Sequence, residues 1–113
     1  MRYNVGDIVY VELPAGDGKT KVRPAAVAGT YHDAIEFVFL YAITSQYDEY
    51  NIYHNIYRHP ISFWQSAGLV KKSYIKVGEI FTVGAEFISD IGGHLIDEDY
   101  ENFLSVIDYS RII

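Results

Sequence analysis

The 113-residue sequence contains no cysteine, which excludes a disulfide framework, cysteine-ligated zinc and thiol catalysis. Three prolines and nine glycines are too few for a collagen-like or proline-rich disordered chain. No apolar run approaches the length of a membrane span. The opening Met1-Arg2-Tyr3-Asn4-Val5-Gly6-Asp7 lacks the apolar stretch that a signal peptide needs, so a cytoplasmic protein is the expectation. Charged residues make up 21% against 50% hydrophobic, a globular composition, and the length suits one domain spanning 1–113 with one core.

Positive charge is scarce and unevenly placed. The net charge is −6, with nine Lys and Arg against 15 Asp and Glu. Residues 77–113 hold eight of those acids and a single base, Arg111, whereas residues 1–76 hold eight bases and seven acids. The acidity is therefore confined to the C-terminal third. An RNA strand feels the local potential rather than the total, so the balance permits an RNA ligand. Tyrosine, by contrast, is abundant. Its 11 copies favour strands and amphipathic interfaces.

Alternation predicts a first strand over Gly6–Leu13, a turn-rich loop through Gly16, Asp17 and Gly18, and a second strand over Val22–Gly29. The unbroken Ala25-Ala26-Val27-Ala28 implies burial on both faces of the second. A third strand is expected over Ala34–Thr44. Ser45–His59 reads as a long tyrosine-laden excursion with some strand near Ile52–Tyr57. Ser62 is placed to cap one helical turn that Gly68 stops. Short strands at Ser73–Val77, Glu79–Val83 and Glu86–Ser89 follow. Asp97 is the expected N-cap of a final helix, whose positive end suits Glu98, Asp99 and Glu101. Tyr100, Phe103, Leu104 and Ile107 recur at helical spacing and should face the sheet. A compact barrel-like β domain with one terminal helix follows.

Lys19, Lys21 and Arg23 alternate where the first loop enters the second strand. Arginine offers a planar fork to phosphate and lysine a point charge. Lysines in a turn are also ordinary solvated side chains. Arg23 differs, because Pro24 and a buried strand follow it at once. Thr44-Ser45-Gln46 closes the third strand with three hydrogen-bonding side chains, either a functional group at a strand end or a threonine bonding its own turn. Of His32, His54, His59 and His94, no pair has metal-ligand helical spacing, and nothing in the sequence joins two as a ribonuclease acid and base. Tyr47, Tyr50, Tyr53 and Tyr57 could stack bases, but covering the core or a dimer contact is the favoured reading.

In order and spacing, these segments resemble the PemK/MazF-like toxins of type II toxin–antitoxin systems. The resemblance rests on Gly6-Asp7-Ile8-Val9-Tyr10, on Arg23-Pro24 leading into an apolar strand, and on Ile43-Thr44-Ser45. It continues through Gly68-Leu69-Val70-Lys71-Lys72-Ser73 and Ile80-Phe81-Thr82-Val83. It implies a mostly-β, SH3-like barrel with a C-terminal helix, a homodimer, a cognate antitoxin, and no cofactor or metal. It further implies cleavage of single-stranded RNA by the substrate's own 2′-OH, giving a 2′,3′-cyclic phosphate. Arg23 and Thr44 would be catalytic, the former stabilising the crowded phosphate and the latter bonding one of its oxygens. Lys19, Lys21, Ser45, Gln46, Lys71, Lys72 and Lys76 would follow the RNA. Many members carry an arginine and an acid where this chain has Phe81 and Gly84, which leaves either Lys76 or Lys72 to compensate or a low activity. The alternative implied by the same barrel is a CcdB-like toxin that inhibits a protein partner such as gyrase without cutting RNA.

Overall fold

The computed structural model describes residues 3–14, 17–47 and 57–112. Six strands run in chain order: β1 (Asp7–Pro14), β2 (Thr20–His32), β3 (Glu36–Thr44), β4 (Arg58–Pro60), β5 (Tyr74–Gly84) and β6 (Ile88–His94). One helix, α1 (Asp97–Val106), follows. The strands form a single antiparallel sheet in the order β4-β5-β3-β2-β1-β6. This is the expected mostly-β fold with a C-terminal helix. The sheet is not closed among the described residues, with β4 and β6 as its edges, and is consistent with a small barrel-like fold.

Both sheet faces are covered, as the alternation in β1 and the alanine run in β2 require. On one face Ile8, Phe39, Tyr41 and Ile43 pack beneath α1. Phe103 of α1 is fully buried and meets Tyr41 edge-on, with ring centroids 6.0 Å apart. Tyr100, Leu104 and Ile107 join this contact, which is the helix face expected from the spacing. On the other face Val9, Val11, Leu13, Val27 and Leu40 form a second cluster with the alanines 25 and 42.

Several boundaries differ from the sequence reading. The segments 73–77 and 79–83 belong to one strand, β5, because Gly78 lies in a bulge rather than a turn. Short strand structure expected over 86–89 is replaced by a 3₁₀ turn at Ala85–Phe87 and a longer strand through His94. The glycines of β6 hide it from propensity. Their role is close approach. A Cβ on Gly93 would collide with the Ala67 carbonyl, and one on Gly68 with the Gly92 carbonyl. The strand expected near 52–57 lies mostly outside the described residues, and the pairing seen begins at Arg58.

Asp97 is not the N-cap of α1. The Ile96 carbonyl accepts the first helical bonds, and Asp97 itself has φ of 51°. Asp99 points elsewhere: its buried carboxylate accepts the Ser62 and Phe63 amides at 2.9 and 2.7 Å. The turn over 62–68 is thus capped by Asp99 from α1, not by the Ser62 hydroxyl. Gly68 ends it as expected, at φ of 96°, with the Leu69 amide reaching back to the Trp64 carbonyl.

Candidate functional site

β2 and β3 pair with Ala25 opposite Ala42. Arg23 and Thr44 lie just beyond this last pairing, each two residues from its alanine, so strand alternation puts them on the same face as the two alanines. β1 and β5 flank the pair, with Val11 opposite Arg23 and Tyr74 opposite Thr44. Here a cleft of about 460 Å³ opens, with Ile43 and Leu69 of the first core cluster in its wall. Lys21, Arg23, Thr44, Ser45, Gln46 and Lys71 all border it. With Tyr10 of β1, four separate stretches of the described residues converge on one concavity.

The polar groups are held firmly. Thr44 is buried, and its Oγ1 accepts the Gln46 amide at 3.1 Å, so the threonine does close its own turn. That bond uses a lone pair and leaves the hydroxyl proton free to donate. Ser73 is buried, and its Oγ donates to the Lys71 carbonyl at 2.7 Å, shaping the opposite wall. Arg23 is half-buried, and its Nε is shielded without a hydrogen-bond partner among the described residues. A shielded guanidinium nitrogen without an acceptor is costly, and an anion in the cleft would relieve that cost.

The remaining basic side chains divide. Lys19 and Lys72 are exposed and do not border the cleft. Lys76 stands on the far side of Arg23, where the two residues line a second cavity of about 260 Å³ with Glu79 and Phe81. Phe81 packs against the second cluster, and Gly84 lies buried at the end of β5. Of the two lysines considered as compensation, Lys76 shares a cavity with Arg23. Tyr47 stacks on Tyr74 with centroids 5.0 Å apart, whereas Tyr50 and Tyr53 lie outside the described residues.

The histidines are dispersed. His59 and His94 sit on opposite sheet edges, and His32 ends β2; His54 lies outside the described residues. His94 Nδ1 is 2.8 Å from Asp7 Oδ1, which gives the Gly6-Asp7 signature a structural role beside the β1–β6 pairing. No group of three or more His, Asp or Glu with metal-binding geometry occurs among the described residues.

Sequence reasoning missed Arg58. It is buried in β4, and its Nε donates to the Gln46 carbonyl at 2.9 Å, tying β4 to the cleft wall. A short strand beside an unassigned stretch gave no signal for this. Glu79 was also missed, because its neighbourhood depends on the β5 bulge. None of the curated proteins compared with the chain matches it. The profile described as PemK-like, MazF-like toxin of type II toxin-antitoxin system matches residues 4–110. With Arg23-Pro24 and Ile43-Thr44 converging at one cleft on a mostly-β sheet, the chain belongs to the PemK/MazF-like toxins of type II toxin–antitoxin systems.

Proposed function

We propose that the protein is a metal-independent, sequence-selective endoribonuclease that cuts single-stranded RNA by attack of the substrate's 2′-OH. The observation that carries this is that Arg23 and Thr44 line the same cleft, with the Arg23 Nε shielded and unpartnered among the described residues. The chemistry needs positioned donors around a phosphorane-like transition state rather than a protein nucleophile. Arg23 supplies positive charge and donors, and Thr44 a hydroxyl. Lys21 and Lys71 hold the strand on either side. The 2′-OH gives up its proton to water as its oxygen bonds to phosphorus, the P–O5′ bond breaks, and the 5′-oxygen takes a proton from water, giving a 2′,3′-cyclic phosphate and a free 5′-OH.

Family membership supports an antitoxin partner and a homodimer. Exposed Val22 and Val70 at the cleft lips, and Phe87 and Ile91 near the β6 edge, offer apolar surface for such contacts. No helix among the described residues is long and apolar enough to cross a membrane. We place the protein in the cytoplasm, where its RNA substrate is made.

Incubation with end-labelled single-stranded RNA tests the proposal. Discrete fragments ending in cyclic phosphate should form, at the same rate with a chelator present. The same sequence as DNA should survive, because it lacks the attacking hydroxyl. A folded protein that cuts no RNA would instead support the partner-inhibiting alternative.

A further inference from the structure

β5 departs from regular pairing beside the cleft. Tyr41 faces Ile80 and Ile43 faces Ile75, so residues 76–79 all stand opposite the single Ala42. Such a wide bulge bends the strand and re-aims its side chains. Lys76 and Glu79 consequently line the cavity shared with Arg23 and also a third one, of about 310 Å³, completed by Tyr57 and Gly78. The three cavities are neighbours that share wall residues. Arg23 borders the first and second, and Lys76 and Glu79 border the second and third.

Tyr57 is held by its backbone, whose carbonyl accepts the Val77 amide at 2.8 Å. Its ring rests against the open side of Gly78, where even a Cβ would come within 3.2 Å of the Tyr57 Cδ1. The residue is nonetheless 55% exposed. No ion pair joins Lys76 to Glu79 among the described residues. One cavity therefore presents an aromatic face, an ammonium and a carboxylate with no ion-pair partner among the described residues.

We propose that this third cavity is a nucleobase subsite, and that it selects a guanine next to the scissile phosphate; this deepens the ribonuclease reading above and rests on it. The base stacks on Tyr57, and Lys76 meets the adjoining phosphate. The Glu79 carboxylate accepts and cannot donate. Guanine is the base whose Watson–Crick edge sets two N–H donors side by side, at N1 and the exocyclic N2. Adenine and cytosine each place an acceptor beside their amine, and uracil flanks its single donor with two carbonyls. A carboxylate gains at most one hydrogen bond from each of these edges and sets its other oxygen against an acceptor.

Binding of 2′-fluoro oligouridine, which has no attacking hydroxyl, isolates recognition from cleavage. A single guanosine is placed at each position of the strand in turn. At one position it should tighten binding by about 5- to 150-fold, and inosine there, lacking the N2 amine, should lose most of the gain. Glu79→Gln should bring the guanosine-to-uridine ratio close to one. Tyr57→Ala should weaken binding, and Tyr57→Phe should restore it. Absence of any guanosine-preferring position, or a preference that survives Glu79→Gln, would overturn the subsite. Ribo-oligonucleotides of the same sequences run in parallel report on the nuclease. Guanosine-selective binding without cleavage would sink the ribonuclease proposal while sustaining the subsite.

Discussion

The Nε of Arg58 donates to the main-chain carbonyl of Gln46 at 2.9 Å, joining β4 to the segment that leaves β3 immediately after Thr44. A buried guanidinium here sets the shape of a cleft whose surface it does not form. Arg58→Ala strands a carbonyl and removes a charge-assisted bond, a loss of about 1.5–3 kcal/mol. Denaturant unfolding should show that loss. Cleavage should fall alongside it, because Ser45 and Gln46 would no longer be held. An Arg58→Ala protein as stable and active as the parent would show the tie to be incidental.

Arg23→Ala should behave in the opposite way. Its Nε has no hydrogen-bond partner among the described residues, so truncation breaks no such bond there and stability should change by less than about 1 kcal/mol. Cleavage should drop by about 10²–10³ or more, the scale for removing one donor to a developing anion. Circular dichroism and single-turnover rates measured on the same sample separate the two effects. Full activity in the folded variant would remove the mechanism.

Thr44→Val keeps the shape but deletes both the acceptor used by the Gln46 amide and the free hydroxyl proton. Thr44→Ser keeps both. Cleavage should be reduced about 10- to 100-fold by valine and little by serine, if one neutral hydrogen bond worth roughly 1.4–2.7 kcal/mol in the transition state is lost. Equal rates for the two variants would leave the hydroxyl without a role.

Lys21 and Lys71 border the cleft, whereas Lys19 and Lys72 do not. RNA affinity should fall steeply with salt, and each cleft lysine replaced by alanine should lower the slope by about 0.7, the single-strand value for one phosphate contact. Replacing Lys19 or Lys72 should lower it less. The opposite ranking in salt titrations would place the strand along the outer loop.

Asp99 accepts two amides of the 62–68 turn, the segment packed against Gly92 and Gly93. Asp99→Asn keeps one good acceptor, and Asp99→Ala keeps none. Stability should decline in that order, by about 1–3 kcal/mol for each amide left unsatisfied. Thermal unfolding of the two variants checks the ranking, and an alanine variant as stable as asparagine would contradict it.

The sequence by itself determined the strand-rich fold, the burial of both faces at residues 25–28 and the apolar stripe of α1, because each is a local periodicity. It also marked Arg23 and Thr44, through short segments whose order and spacing resemble one family. Tertiary structure decided which of the marked residues meet. Lys21 and Lys71 reach the cleft while Lys19 and Lys72 do not, since strand pairing and the turn before Ser73 set their directions. It also gave Asp99, which sits in the first turn of α1 as expected, the further role of capping a distant turn, and made the glycines of β6 a packing surface instead of a strand breaker. Lys76 and Glu79 reach their cavities because β5 bulges opposite Ala42. A bulge is a mismatch between two strands far apart in sequence, and neither strand encodes it alone.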